Sequence, residues 1–270
     1  MKGALKYCLM MVVLVGLVGT SRAHEFGDDH GDYATNATGV TIGSNVVGRI
    51  EIDTDEDWFS FPVSSLKEYE IQAVTGTLWD TTAAAIAGDG VYVLGTTDSV
   101  VSVTSGVSWI HFGPSTRAYA HVGGFADFTT GTYGFAVAER NFTDHDQDGM
   151  ADGWERSMMG STNPPASGLN GDMDQDGVDN RGEFMAGTDP SNVLSRLEIT
   201  AIRPVVSGAI VEWRSAPLRT YRLMLSTNLM DGAAWRERGW VTNYTASALS
   251  LADSQEAGAT SGMYRVECVP

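Results

Sequence analysis

Asp144-His145-Asp146-Gln147-Asp148-Gly149-Met150-Ala151-Asp152-Gly153-Trp154-Glu155 is echoed 28 residues later by Asp172-Met173-Asp174-Gln175-Asp176-Gly177-Val178-Asp179-Asn180-Arg181-Gly182-Glu183. This repeat divides the chain. Residues 140–190 around it carry eleven acidic and three basic residues and few β-branched ones. On both sides lie short β-prone runs broken by Gly, Asp, Asn, Ser and Thr, the pattern of antiparallel sandwiches. Upstream the runs are Val46 to Ile52, Trp58 to Val63, Tyr69 to Val74, Val91 to Leu94, Val107 to Phe112, Tyr119 to Val122 and Tyr133 to Val137. Downstream they are Leu197 to Ile202, Ala209 to Trp213, Tyr221 to Leu225, Trp235 to Val241 and Met263 to Val269. In Trp58-Phe59-Ser60-Phe61, strand periodicity puts Trp58 and Ser60 on one face and Phe59 and Phe61 on the other. The expected fold is mainly β: two β-sandwich domains, 24–139 and 193–270, joined by a short α-helical tandem-loop segment at 140–192.

The spacing inside each loop carries chemistry. Carboxylates stand at positions 1, 3 and 5: Asp144, Asp146 and Asp148, then Asp172, Asp174 and Asp176. Glycine stands at 6. Position 7 offers a backbone carbonyl, from Met150 or Val178, position 9 is Asp152 or Asn180, and position 12 is Glu155 or Glu183. This is the full EF-hand ligand pattern. Calcium takes six to eight oxygens at about 2.3–2.6 Å, which alternate residues of a tightly curled loop can aim inward while the glycine permits the turn. Two complete matches in tandem predict two calcium ions. The five carboxylates of the first loop and the four ligand carboxylates of the second repel one another without a cation. No amphipathic helix precedes either loop. Helices are expected to start inside the loops and run out over Asp152 to Met159 and Asn180 to Met185, with Gly160 and Gly187 as stops.

Residues 1–23 read as a cleaved secretory signal peptide: Lys2 and Lys6, an apolar and glycine run from Cys8 to Gly19, then Ser21-Arg22-Ala23. That run is too short to span a bilayer, which needs about 20 apolar residues. Without residues 1–23 the chain has 14 basic against 34 acidic residues, a formal charge of −20. Such a surface repels nucleic acid and anionic membranes. Cys268 would then be the sole cysteine, so no internal disulfide is expected; a half-buried thiol in a last strand is favoured over a bond between chains. The three Asn-x-Ser/Thr sequons, at Asn36, Asn141 and Asn243, are read as chance.

The loops, with their half-motif helices, resemble dockerin-type and thrombospondin-type-3-like calcium repeats of bacterial proteins, and Ala186-Gly187-Thr188-Asp189-Pro190 resembles the ending of the latter. Residues 28–138 resemble the bacterial pre-peptidase C-terminal (PPC) domain through Asp28-Asp29-His30-Gly31-Asp32, Val47-Gly48-Arg49-Ile50, Asp55-Glu56-Asp57-Trp58-Phe59-Ser60-Phe61, Trp79-Asp80-Thr81 and Thr130-Gly131-Thr132-Tyr133. The family implies a β-sandwich appended to secreted enzymes. Related collagen-binding modules hold calcium at their N-terminal edge, which would implicate Asp28, Asp29 and Asp32; a solvated acidic start is the favoured reading. Residues 197–269 resemble a fibronectin-type-III-like module through Trp213-Arg214-Ser215-Ala216-Pro217, Arg219-Thr220-Tyr221-Arg222-Leu223 and Met263-Tyr264-Arg265-Val266.

No His-Glu-x-x-His, Gly-x-Ser-x-Gly or Cys-His constellation is present. His111 and His121 could share a metal from adjacent strands, but ordinary strand histidines are the preferred reading. The sequence thus favours a secreted, calcium-binding, non-catalytic protein whose sandwiches engage an extracellular polysaccharide, a matrix protein or a cell-envelope component. The alternative is an enzyme, or an accessory module of an exported protease or glycosidase. Calcium is expected to fix the relation of two sandwiches that stay folded without it, the segment between them having few apolar residues of its own.

Overall fold

Strand alternation builds the first half of the molecule. The computed structural model describes residues 27–78, 80–100, 105–125, 130–162, 171–206, 208–228, 235–254 and 262–270, with backbone alone at 98–100, 105 and 254. The signal peptide and Trp79 lie outside these residues. Nine strands come first: β1 Thr38–Gly39, β2 Asn45–Ile50, β3 Glu56–Val63, β4 Lys67–Thr75, β5 Asp80–Ile86, β6 Val93–Val100, β7 Ser105–His111, β8 Thr116–Gly124 and β9 Gly131–Arg140. They form a five-stranded sheet, β1-β3-β8-β5-β6, and a four-stranded sheet, β2-β9-β4-β7. Only the short β1–β3 pairing is parallel among the described ladders. Phe59 and Phe61 on β3 are fully buried, as the alternation predicts, and Phe59 stacks on Phe135 of β9 with ring centroids 4.3 Å apart. The two sheets therefore face each other as a β-sandwich.

Two further helices and six strands follow: α1 Asp152–Met159, α2 Asn180–Ala186, β10 Ile199–Val205, β11 Gly208–Arg214, β12 Arg219–Ser226, β13 Arg236–Asn243, β14 Ala248–Ser254 and β15 Met263–Val269. The strands form sheets β10-β11-β14 and β13-β12-β15. Between them lie Val211, Trp213, Tyr221 and Leu223, with Trp213 edge-on to Tyr221 at 6.1 Å. Strand makes up 51% of the described residues and helix 7%, so the class is mainly β. Among the described residues no helix is long and apolar enough to cross a membrane.

Three strands were not among the runs read from the sequence: the two-residue β1, β5 and β14. β5 reads Asp-Thr-Thr-Ala-Ala-Ala-Ile; alanine is a poor strand former, and Ala83 to Ile86 are all buried, so no alternation survives. β14 reads Ala-Leu-Ser-Leu-Ala-Asp-Ser, where only Leu249 and Leu251 mark the inner face. Both helices start where the loops predicted, and α2 runs one residue further than expected.

The acidic segment differs more from its reading. Its few apolar residues converge. Met150, Ala151 and Phe184 are buried in a cluster with Phe142, Trp154, Met159 and Met185, and with Ile110 and Phe112 from the end of β7. The Phe184 ring lies edge-on to Phe112, Phe142 and Trp154, at 5.2, 5.9 and 5.2 Å. The segment is thus packed onto the first sandwich. The C-terminal sheets touch that sandwich too. Tyr92 and Tyr244 approach to 6.4 Å, and Gly113, with φ +108°, leaves no room for a side chain beside Thr220. A cavity in this seam, lined by Trp109, His111 and Phe112 on one side and Leu218, Thr220 and Tyr244 on the other, has a volume of about 50 Å³. It holds a few waters at most, not a ligand.

Candidate metal centre

Each loop folds around its own aspartates. In the first, Asp144 accepts backbone N–H groups from Asp148 (3.2 Å) and Gly149 (3.0 Å), and Asp148 accepts from Met150 (2.9 Å). In the second, Asp172 accepts from Gln175 (2.7 Å) and Gly177 (3.0 Å), Asp174 from Asp176 (3.1 Å), and Asp176 from Val178 (2.8 Å). The tight curl needs left-handed backbone at positions 4 and 6. Gln147 and Gln175 sit at φ 61° and 62°, and Gly149 and Gly177 at 86° and 93°. Glycine is the residue that takes this without strain.

These turns bring carboxylate oxygens of Asp144, Asp146 and Asp148 within 4.8 Å of one another, and those of Asp172, Asp174 and Asp176 likewise. The residues at position 12 come from the helices. Glu155 on α1 and Glu183 on α2 are both fully buried. Both Glu155 oxygens, Asp148 Oδ2, Asp174 Oδ2, Asp176 Oδ2 and Glu183 Oε2 are buried and accept no hydrogen bond. Burial, and then the loop aspartates, push the Glu155 carboxyl up to about 7. Burial likewise pushes Glu183 up to about 7, against a hydrogen bond from the Thr188 hydroxyl at 3.1 Å. Acceptor-only groups packed this closely fit a hard divalent cation, which would satisfy the oxygens and offset their repulsion.

Position 9 does a second task in each loop. Asp152 accepts the His145 N–H at 2.9 Å and also pairs with the His145 ring, and these bonds hold its carboxyl below the usual range. Asn180 accepts the Met173 N–H at 3.1 Å. The backbone N–H groups of these two residues reach back to Thr143 O (2.9 Å) and Gly171 O (2.7 Å), closing both loops alike. In chain order, Met150 and Val178 stand between these fixed points. Position 8 is where the loops part: Asp179 caps α2 by accepting the Gly182 N–H at 2.6 Å, whereas Ala151 gives α1 no side-chain cap.

A further acidic group lies at the edge of the first sandwich. Asp28 comes together with Asp29 and Glu51, and also with Asp55 and Asp57. Asp32, grouped with Asp28 and Asp29 by sequence, is in neither set. Asp57 is fully buried and accepts the Tyr133 hydroxyl; burial pushes its carboxyl up to about 8. Burial, and then the neighbouring Asp55, push Glu51 up to about 7. Glu51, Asp55 and Asp57 escaped the sequence reading because the β2–β3 turn brings them beside a segment more than 20 residues earlier, and no local spacing signals that.

The two strand histidines lie on different sheets. His111, on β7, meets the Pro114 carbonyl at 3.2 Å, while His121, on β8, stacks against Trp58 at 5.1 Å. Asn243 is buried, with its amide donating to Ser215, Ala216 and Ala246. Cys268 is a free, half-buried thiol on β15.

No protein-family model matches the chain, and no curated protein matches it. Among solved structures, the pre-peptidase C-terminal domain of a collagenase from Bacillus anthracis aligns over 37% of this chain and 93% of that one. The identity is 16% and the TM-score 0.31. The glycoside hydrolase domain of Endo-D from Streptococcus pneumoniae R6 aligns over 82% of this chain but 30% of that one, at 8% identity and TM-score 0.23.

Proposed function

We propose that the chain is a secreted, non-catalytic calcium-binding protein. On this reading residues 144–155 and 172–183 each hold one calcium ion, and the β-sandwiches on either side serve as binding or adhesion modules. The observation that carries it is the set of buried carboxylate oxygens without hydrogen bonds in both loops, Glu155 and Glu183 above all. A bound calcium supplies the positive charge those oxygens otherwise lack. Asp144, Asp146, Asp148, the Met150 carbonyl, Asp152 and Glu155 would form the first set. Asp172, Asp174, Asp176, the Val178 carbonyl, Asn180 and Glu183 would form the second. The signal-peptide pattern and the acidic charge support an exterior location, where calcium is plentiful. A polysaccharide, a matrix protein or a cell-envelope component is the partner class such modules suit.

The alternative, an enzyme or the accessory module of an exported hydrolase, would need an acid pair open to substrate. Outside the two loops, the described carboxyls that burial raises are Glu51 and Asp57, and Asp57 is sealed under Tyr133. That favours the non-catalytic reading.

Calorimetry tests the proposal. Because the Asp28 and Glu51 group offers another cation position, the loops are judged by variants, not by total stoichiometry. Asp144→Ala and Asp172→Ala should each remove one ion. An unchanged stoichiometry in both variants refutes the assignment. Affinity is expected in the range of extracellular modules, about 10⁻⁴–10⁻³ M, with magnesium, which demands a compact octahedral shell, a poor substitute.

A further inference from the structure

We propose that the second loop, not the first, governs how the C-terminal sheets are seated, because α2 joins that loop's ligands to a clamp supplied by β12 and β15. The inference rests on calcium occupancy of the loops as proposed above and assigns different consequences to the two sites.

α2 is seven residues long. A helix that short does not persist unaided, so both of its ends must be held. Its first residue, Asn180, and its fourth, Glu183, belong to the ligand set of the second loop. At its other end, the carbonyls that a helix terminus leaves without intrahelical partners are taken by the C-terminal sheets. Arg219 donates to the Phe184 carbonyl at 3.0 Å and to the Met185 carbonyl at 2.7 Å. Cys268 donates its thiol to the Met185 carbonyl at 3.2 Å, and the Tyr221 hydroxyl lies 3.5 Å from the Ala186 carbonyl.

Arg219 is the centre of this clamp. It is 8% exposed, and burial draws its guanidinium down to about 10. Its described hydrogen bonds go to carbonyls alone, including its neighbour Leu218 at 3.3 Å. Its guanidinium carbon stands 3.5 Å above the Phe112 ring of the first sandwich. A buried cation in this position depends on the negative end of the α2 dipole and on an aromatic face. If α2 unwinds, Arg219 keeps its burial and loses the carbonyls that make the burial tolerable. Seating of β12 and β15 therefore requires α2 to be helical. With its carboxylates uncompensated, the second loop opposes that helix by repulsion around Glu183.

α1 has no matching attachment. No side chain from β10–β15 bonds its described carbonyls, its terminal Gly160 has nothing within 4 Å of a side-chain position, and Met158 is exposed. The first loop meets α2 by packing, Trp154 against Phe184 and Gly149 beside Arg181, and by the charge of Arg181 near Asp148; none of these contacts reaches the carbonyls that β12 and β15 hold.

Cys268 reports on the clamp. While seated, its thiol is bonded to the Met185 carbonyl and pushed by burial up to about 11, which keeps it unreactive. The experiment measures the rate at which Ellman's reagent labels Cys268 in the full chain carrying Cys8→Ser, in saturating calcium and in chelator, with calorimetry on the same samples. Chelation should raise the rate at least about tenfold, because labelling then follows local opening. In calcium, Asp176→Asn should reproduce most of that rise, whereas Asp148→Asn, at the same position of the first loop, should stay within about twofold of the parent. Arg219→Lys should raise the labelling rate in calcium without changing the number of ions bound. No calcium uptake overturns this inference together with the calcium reading. Uptake with a labelling rate indifferent to chelator, or raised equally by Asp176→Asn and Asp148→Asn, overturns this inference alone.

Discussion

The first sandwich and the C-terminal pair of sheets are built alike and stand on different footings. Among the described residues, the first encloses seventeen buried apolar side chains, from Ile50 to Val137, drawn from both of its sheets. The second encloses four, and the rest of its interior is half-buried. A core that small stabilises little by itself, since the hydrophobic contribution scales with buried area. The C-terminal sheets make up part of the deficit by holding α2 and by closing against the first sandwich. An arginine illustrates the contrast on each side. Arg140, at the end of β9, forms exposed pairs with Glu68 (2.8 Å) and Glu70 (2.7 Å). Arg219 is buried and bonds only to carbonyls. One half is self-sufficient; the other borrows.

Phe184→Ala should break the comparison most severely. Removing a buried aromatic from between Phe112, Phe142 and Trp154 should cost about 3–5 kcal/mol. Denaturant unfolding should show the loss in a transition assigned to the C-terminal half, with the first sandwich melting close to its original midpoint. A single transition lowered as a whole would show that the halves do not differ in this way.

The arginines come next. Arg219→Ala should cost about 2–3 kcal/mol, because it strands buried carbonyls. Arg140→Ala, removing exposed ion pairs, should cost under about 1 kcal/mol. Equal losses in the same denaturation assay would remove the distinction between a borrowed and an independent core.

Asp57 sharpens the account of the first sandwich. The folded chain keeps its proton up to about pH 8, whereas an unfolded chain releases it near about 4. In chelator, its contribution to stability is therefore full below about pH 4 and is lost as the pH rises to about 8. Asp57→Asn should flatten that decline, by an amount on the order of 1–2 kcal/mol after relaxation of the site. Melting temperatures from pH 5 to 9 measure it, and a slope unchanged by the substitution would contradict the assigned burial effect.

The smallest effect concerns the caps. Asp179→Ala should weaken α2 by about 1 kcal/mol. Ala151 leaves α1 without a side-chain cap, but it is buried in the apolar cluster, so Ala151→Asp should lose more by burying a carboxylate than the cap returns. Amide exchange at α1 and α2 reads both.

Much of this was legible in the chain because it is local. Loop positions 1 to 12 fix the turns, the glycines and the start of each helix within one stretch, so Asp144 to Glu155 and Asp172 to Glu183 could be placed without tertiary information. The alternation of Trp58 to Phe61 likewise revealed its own inner face. What escaped depends on residues far apart in sequence. Phe184 gains its importance from Phe112 and Phe142, Arg219 from α2, and Asp57 from Asp28. A strand such as β5, apolar on both faces and rich in alanine, carries no periodicity to read. The expectation that the acidic segment is a linker poor in apolar residues counted its hydrophobic side chains and could not know that they converge.

Gly113 and Gly187 make the seam a matter of inheritance. A β-carbon at 113 would lie 2.6 Å from Thr220 Oγ1, and one at 187 would lie 2.8 Å from the Ala216 methyl, with positive φ at both. Lineages that keep the two halves docked can vary the surface freely but have almost no latitude at these two sites. Were the halves to swing independently, those contacts would fall away, but the positive φ at both sites, which at Gly187 ends α2, would still favour glycine, and Arg219 would be the position released. A chain of this build that keeps both glycines but lacks an arginine at 219 would therefore be one whose seam no longer holds.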